Sequence, residues 1–156
     1  MRQLIFASFA IAFLGGSAGN AQTGNGLNTR ESANSAAATI EKLETAIKSR
    51  GLKLFERIDH AAAAAEAGMK MPPATVIIFG NPKAGTPNFL KSPTLAIDLP
   101  LKALVWQDQG GKTFVSWNSG GYVIGTIFPR HGLNPPDAAG AEQENLLASI
   151  AADAVK

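Results

Sequence analysis

The chain has 156 residues, 46% of them hydrophobic, with 14 basic and 12 acidic residues and no cysteine. The absence of cysteine excludes disulfides, thiolate nucleophiles and cysteine-ligated zinc or iron–sulfur centres. The net charge is +2 and the basic residues are scattered, so we expect no nucleic-acid partner. The length and the lack of an internal repeat predict one compact domain.

The first 21 residues are typical of an export signal. Arg2 supplies a positive start, residues 4–14 are uncharged and mostly apolar, and Gly-Asn-Ala at 19–21 fits a small-x-small cleavage site. The apolar run is shorter than the roughly 20 residues that span a bilayer, which favours a signal over an uncleaved anchor or a buried helix. We therefore expect a mature chain from about Gln22, periplasmic or secreted from a bacterium, and not membrane-bound after cleavage.

A polar segment and a helix follow the signal. Residues 22–34 are rich in Gly, Asn, Thr and Ser, which predicts a linker or a short strand leading into the domain. A helix begins at Asn34 or Ser35, because apolar residues then recur at helical spacing, and Gly51 ends it. Its apolar face consists of Ala36, Ile40, Leu43 and Ile47.

Two predicted strands flank an alanine-rich helix. Alternation predicts a strand over Leu52–Ile58, and the alanines of 61–67 predict a short helix. Val76–Phe79 contains four large apolar residues in a row, which predicts a central strand buried on both faces. A polar, glycine-containing loop follows, and Thr86-Pro87 predicts the start of the next helix.

The C-terminal half begins with a predicted β-hairpin. Its strands are Leu101–Asp108 and Lys112–Asn118, joined by a Gln-Gly-Gly turn whose glycines permit positive φ. Tyr122–Phe128 is apolar and β-branched, which leaves a strand or a buried helix open, and Asp137–Val155 is an alanine-rich helix. We assign the domain to residues 35–133 and a C-terminal helix or tail to 134–156.

Together these elements predict a single small α+β domain with a sheet covered by helices. Leu52–Ile58 and Thr75–Phe79 are expected to be parallel neighbours, joined by one right-handed βαβ-type crossover through the alanine helix. Such a crossover would place Asp59 and His60 beside Gly80 and Asn81, because the ends of parallel strands lie at the same edge of a sheet.

Three segments of the sequence resemble a known family. They are Arg57–Ala62, Ile78–Pro87 and Asp98–Lys102, the last followed by Val105-Trp106. Over roughly Thr29 to Leu133 the chain is similar to bacterial proteins of the domain of unknown function 302 family. The resemblance implies an α+β fold with a mainly antiparallel sheet and a homodimer, and it implies no reaction. The chain departs from the family pattern after Trp117-Asn118, where Ser119-Gly120-Gly121 and a longer apolar stretch precede Arg130-His131.

Seven polar residues are candidates for a ligand site, because most of them follow predicted strand ends or lie at a predicted helix start. They are Asp59, His60, Asn81, Lys83, Thr86, Arg130 and His131. Free N–H groups beside Thr86, with Lys83 nearby, are suited to an anion. Two alternatives stay open: Asp59 caps the alanine helix, and the segment around Asn81 is an ordinary Asn-Pro turn before a capped helix.

The same residues match no metal or cofactor motif. His60 and His131 are the only histidines, and together with Asp59 they lack the close spacing of metal ligands. Lys83 precedes Gly85, and no Gly-Lys-Ser/Thr follows, so the loop is not a nucleotide phosphate loop. We therefore expect neither a metal nor a cofactor.

Two classes of function remain compatible with the sequence. The first is an exported, soluble module of unknown molecular function that binds a small polar or anionic ligand, or a partner protein. The second is a small periplasmic enzyme in which His60 acts as general acid or base, oriented by Asp59 or Asn81.

Overall fold

The computed structural model describes residues 21–156, so the predicted signal peptide lies, except for Ala21, outside the described residues. One six-stranded sheet forms the centre of the fold, in the order β1-β2-β6-β5-β4-β3. Every neighbouring pair of strands is antiparallel. The strands are β1 (Ala21–Thr23), β2 (Leu27–Ser32), β3 (Lys53–Asp59), β4 (Ala74–Gly80), β5 (Leu101–Gln107) and β6 (Thr113–Asn118).

The expected parallel crossover between β3 and β4 is wrong. Asp59 pairs with Thr75 and Lys53 pairs with Gly80, so the two strands run in opposite directions. Helix α2 (His60–Glu66) connects them, and none of its residues is buried. The helix of a parallel crossover packs on a face of the sheet, whereas α2 buries no residue, so the chain returns antiparallel beside β3 instead.

Two long helices, α1 (Ala36–Ser49) and α6 (Ala138–Ala154), pack on one face of the sheet. Ser35 caps α1 by accepting a hydrogen bond from the Ala38 backbone N–H, as its position in the sequence predicts. Leu147 and Ile150 of α6 are buried in the same core as α1. The segment 134–156 is therefore part of the domain core rather than a tail.

Strand β4, which was predicted to be central, lies next to the edge strand β3 and is buried on one face only. Ile77 and Phe79 point into the core and are 1% and 0% exposed, whereas Val76 and Ile78 on the opposite face are partly exposed. The prediction of burial on both faces was wrong because α1 and α6 pack on a single side of the sheet.

The N-terminal segment is also part of the sheet. β2 pairs with β6 over six residues, and Asn28 and Ser32 are buried. Of the two alternatives for residues 22–34, the structure contains the strand, since the edge of β6 would otherwise be left unpaired.

Helix α3 (Pro82–Lys91) begins five residues before the predicted Pro87. The Asn81 side chain accepts a hydrogen bond from the Lys83 backbone N–H, and Pro82 occupies the first turn. Asn-Pro and Thr-Pro are both helix-start signals, and the earlier one is used here, which leaves Pro87 inside the helix.

Residues 120–130 form one continuous helical segment, which decides between the two alternatives for Tyr122–Phe128. It consists of α4 (Gly120–Tyr122), a π-helix (Val123–Ile127) and α5 (Phe128–Arg130). Val123 and Ile127 are buried together with Leu95 of the 3-10 helix Pro93–Ile97, and these residues form a second, smaller core. Within residues 21–156, no helix combines the length and hydropathy needed to cross a membrane.

Candidate functional site

A cavity of about 420 Å³ lies where β4 ends and α3 begins. Its walls come from the start of β3, from α3, from the segment before β5, from the π-helix and from α6. The lining residues are Leu52, Phe55, Gly80, Asn81, Pro82, Ala84, Gly85, Asn88, Phe89, Leu95, Leu99, Pro100, Leu101, Val123, Ile124, Phe128, Pro135, Ala139, Gln143 and Leu146.

The lining of this cavity is apolar apart from three side-chain amides. Among its described lining residues none is charged, and the three polar ones are Asn81, Asn88 and Gln143. A concave, mostly apolar site with a few polar groups is the usual form of a small-molecule site. The lining of this cavity therefore has the composition that is common in small-molecule sites.

The three amides differ in how they are engaged. Asn81 Oδ1 accepts a hydrogen bond from the Lys83 backbone N–H at 3.0 Å, and Asn88 Nδ2 donates to the Ala84 carbonyl at 3.1 Å. Each of these two side chains therefore makes one hydrogen bond to the backbone of α3. Gln143 Nε2 is buried and has no hydrogen-bond partner among the described residues.

Local backbone features shape the cavity walls. Gly80 lies between Phe55 and Pro100, and a Cβ there would make ordinary van der Waals contacts with both, at 3.5 Å and 3.6 Å. Val123 and Ile124 reach the cavity from the π-helix, a widened turn that is frequently found at functional sites. Ala139, Gln143 and Leu146 lie at i, i+4 and i+7 on α6 and so face the cavity from one stripe.

A separate polar cluster surrounds His131. Its Nε2 donates to Asp98 Oδ2 at 2.7 Å, and its Nδ1 lies 2.9 Å from Thr94 Oγ1. Arg130 also approaches Asp98 Oδ2, at 3.4 Å. The hydrogen bond from His131 lowers the pKa of Asp98 below its ordinary value, and the charge of Arg130 acts in the same direction against partial burial.

This cluster ties the 3-10 helix to the end of α5. The His131 side chain is only 5% exposed, and the Ser92 hydroxyl donates to the His131 carbonyl at 2.8 Å. Arg130 and His131 therefore both contact Asp98. Asp98 was not among the candidate site residues.

The other candidate residues do not converge. Asp59 Oδ1 accepts hydrogen bonds from the Ala61 and Ala62 backbone N–H groups, so it caps α2, and His60 is exposed. Asp59 pairs with Thr75, and Asn81 lies six residues further along the chain from Thr75. Asp59 and Asn81 are therefore separated by roughly 20 Å. The expectation that Asp59 and His60 lie beside Asn81 is wrong because β3 and β4 are antiparallel.

Of the residues predicted on the 80–86 loop, only Asn81 lines the cavity. Lys83 and Thr86 are exposed on α3 and are not among the lining residues. In the part of the chain that the structure describes, no group of three or more His, Cys, Asp or Glu side chains is placed to hold a metal ion.

Comparison with known proteins identifies the family. The sequence profile described as "Domain of unknown function DUF302" matches residues 28–152. The chain belongs to the DUF302 family. A crystal structure of an uncharacterized conserved DUF302 protein from Bacillus stearothermophilus superposes with a TM-score of 0.69 at 20% identity, covering 85% of this chain and 99% of that one. At that identity the likeness shows the fold alone.

Two relatives of this DUF302 chain carry the name "Fluoride-specific ion channel FluC 1". The proteins from Brucella suis biovar 1 and Brucella abortus biovar 1 are each 43% identical to it over 109 residues, which is 70% of this chain. The match spans 41% and 39% of the two relatives, so the chain covers about two-fifths of their length. Their name refers to the whole proteins.

Sequence reasoning missed most of this DUF302 cavity. Phe89, Ile124 and Gln143 come from three elements that are far apart in the chain and meet only in the folded domain. An isolated Gln in an alanine-rich helix has no local signature, because only the neighbouring elements decide whether its amide faces water or a cavity. Of the seven candidate residues, only Asn81, which turn chemistry indicated, lies in the lining.

Proposed function

We propose that this DUF302 chain is a binding module for a small, largely apolar molecule held in the cavity between α3, the π-helix and α6. The observation behind the proposal is a cavity of about 420 Å³ whose described lining is apolar apart from three amides. The location at a π-helix adds support.

This proposal replaces the polar or anionic ligand that the sequence suggested. An ion that enters an apolar cavity loses its hydration, and no charged residue among the described lining would compensate for that loss. In the enzyme alternative, Asn81 does not orient His60, because the two residues lie at opposite ends of the β3–β4 pair, and Asp59 Oδ1 accepts hydrogen bonds from the backbone of α2.

Export and dimerisation remain proposals. The N-terminal pattern supports export, which predicts that mass spectrometry of protein from its native host finds a mature N-terminus near Gln22. An intact Met1 on most molecules would contradict export.

The edge strand β3, with Phe55 and Ile58 exposed, supports a homodimer. A monomer in sedimentation at micromolar concentration would contradict dimerisation.

Filling the cavity is expected to weaken binding strongly without unfolding the protein. In Ala139→Phe a ring on α6 would project into the cavity. The measurement is a titration with the neutral fluorescent probe N-phenyl-1-naphthylamine. We expect the affinity to fall tenfold or more, since losing the burial of about 55 Å² of apolar surface costs about 1.4 kcal/mol.

The matched control is Ala141→Phe, at an exposed position of the same helix that is not among the lining residues. It should bind the probe as the wild type does. Equal probe affinity in the wild type and Ala139→Phe, with both folded by circular dichroism, would overturn the proposal. Sodium fluoride is tested as a second ligand because of the name of the Brucella relatives. A fluoride-dependent rise in the melting temperature of the wild type at constant ionic strength would favour an anion ligand instead.

A further inference from the structure

A second concave surface, which we call the polar groove, lies between the β1–β2 turn and the start of the 120–130 helical segment. Its volume is about 410 Å³, and it shares no described lining residue with the apolar cavity. None of its described lining residues is charged, and each is a glycine or carries an amide or a hydroxyl group. They are Gly24, Asn25, Gly26, Asn28, Ser119, Gly121, Tyr122 and Thr126.

The amide of Asn28 has a fixed orientation on the wall of the polar groove. The residue is only 8% exposed, and its Nδ2 donates to Glu144 Oε1 at 2.7 Å. The other oxygen of Glu144 accepts a hydrogen bond from the Gly120 backbone N–H, also at 2.7 Å. Because a carboxylate offers only acceptors, the donor end of the Asn28 amide must face Glu144 and the acceptor end must face away from it.

The acceptor end of this amide is unpaired and accessible. Asn28 Oδ1 accepts no hydrogen bond from the described residues. Among those residues, the side-chain polar atoms that are both unpaired and buried are Trp117 Nε1 and Gln143 Nε2, so Asn28 Oδ1 is in contact with solvent. The hydrogen bond that its own Nδ2 donates to a carboxylate polarises the amide and makes Oδ1 a stronger acceptor.

Ser119 supplies a donor from the helical wall of the polar groove. Its Oγ accepts a hydrogen bond from the Tyr122 backbone N–H at 3.1 Å, and within residues 21–156 its hydroxyl proton has no acceptor. The Ser119 backbone N–H donates to the Gly26 carbonyl at 2.7 Å, and a Cβ on Gly26 would overlap the Tyr122 ring. The two walls are therefore in direct contact and held relative to each other, as a preorganised site requires.

We propose that the polar groove binds a neutral ligand with adjacent hydroxyl groups, a sugar or a polyol, through Asn28 Oδ1 and the Ser119 hydroxyl. This site is separate from the apolar cavity of the proposed function. At about 30 Å³ per non-hydrogen atom, a groove of about 410 Å³ holds roughly 14 such atoms, which is the size of a monosaccharide.

The two protein groups select the polar groups of the ligand. A hydroxyl both donates and accepts, so adjacent hydroxyls can pair with Asn28 Oδ1 and with Ser119 at the same time. A ketone or an ether only accepts and would leave Asn28 Oδ1 unpaired. A charged ligand would lose hydration without meeting an opposite charge among the described lining residues.

The test compares methyl β-D-glucopyranoside with 2-methoxytetrahydropyran, which keeps the ring and the methoxy group but carries no hydroxyl. We expect the wild type to bind the glucoside at least tenfold more tightly, because the ether lacks at least two net hydrogen bonds. In ¹⁵N–¹H NMR spectra, the side-chain amide resonances of Asn28 should shift in a saturable manner with the glucoside and much less with the ether.

Gly121→Phe is expected to weaken binding of the glucoside tenfold or more by filling the polar groove. Gly121 is exposed, a Cβ there would meet no atom within 4 Å and its φ does not require glycine, so the variant should fold. The matched control is Ala141→Phe, at an exposed position of α6 outside the groove, which should bind the glucoside as the wild type does. Both variants should retain the wild-type affinity for N-phenyl-1-naphthylamine, since neither residue lines the apolar cavity.

Failure of this site can be distinguished from failure of the proposed function. If the glucoside binds the wild type no better than the ether does, the inference is wrong, whatever the affinity of the apolar cavity for its own probe. Equal affinity for the glucoside in the wild type and Gly121→Phe, with both folded by circular dichroism, would overturn the assignment to the polar groove. Tighter binding of N-acetylglycine methylamide, a peptide-like probe that also donates and accepts, would overturn the assignment of a hydroxylated ligand.

Discussion

Gly120→Ala is expected to lower the free energy of unfolding by about 3 kcal/mol or more, at the upper end of what overpacking costs. A Cβ at this position would lie well inside contact distance of the Glu144 backbone nitrogen and the Gly140 carbonyl oxygen, and 2.9 Å from the Glu144 Cα. All three atoms belong to the backbone of α6, so the clash cannot be relieved by rotating a side chain. The 120–130 helical segment and α6 would have to move apart.

The adjacent glycine provides a matched control. A Cβ at Gly121 would meet no atom within 4 Å, and its φ does not require glycine. Gly121→Ala should be neutral or slightly stabilising, because alanine is favoured over glycine in a helix by up to about 1 kcal/mol. Urea unfolding followed by circular dichroism measures both variants, and equal midpoints would show that the helices are not in close contact at Gly120.

Gly120→Ala should also change the affinity of the cavity for its ligand. Gly120 and Glu144 set the distance between the 120–130 helical segment and α6, which supply two of the cavity walls. Molecules of Gly120→Ala that remain folded should therefore bind N-phenyl-1-naphthylamine more weakly than the wild type does, whereas Gly121→Ala should not change the affinity.

Ile77→Asp is expected to unfold the protein. Ile77 is 1% exposed in the centre of β4, beneath α1 and α6. An unpaired carboxylate there costs several kcal/mol, which is comparable with the total stability of about 5–15 kcal/mol. Arg57 is next to Ile77 in register but is already engaged by Glu44 at 2.6 Å.

Ile78→Asp is the control on the opposite face of the same strand. Ile78 is partly exposed, so a carboxylate there keeps much of its hydration, and its two neighbours in register, Glu56 and Lys102, carry opposite charges that offset each other. Ile78→Asp should lower the free energy of unfolding clearly less than Ile77→Asp does. Circular dichroism spectra and melting curves compare the two variants, and similar losses for both would mean that the faces of β4 are not differently buried.

Local signals predicted the individual elements well. The helix start at Ser35 is confirmed by its hydrogen bond to the Ala38 backbone N–H, and Gly51 after that helix has a positive φ of 69°. The turn between β5 and β6 places Gly111 at a φ of 82°, as the glycine pair predicts. Each of these features depends on residues within a few positions of one another.

Features that join distant residues were predicted poorly. The direction of β4 relative to β3 was wrong, because either direction buries the same alternating residues. The contact between His131 and Asp98 joins residues 33 positions apart, and that between Asn28 and Glu144 joins residues 116 positions apart. The family resemblance indicated the fold that the DUF302 comparisons confirm, but it indicated no ligand.

By itself, the sequence of this protein determined the positions of the main helix, of strand β4 and of the hairpin, and it indicated Asn81 as a residue near a site. Capping, periodicity and turn chemistry act over single turns and can be recognised from neighbouring residues. Only the tertiary structure decided that β3 and β4 are antiparallel, and that α3, the π-helix and α6 enclose an apolar cavity with Gln143 on its wall. These features depend on which surfaces pack together, and many arrangements of the same elements satisfy the local signals equally well.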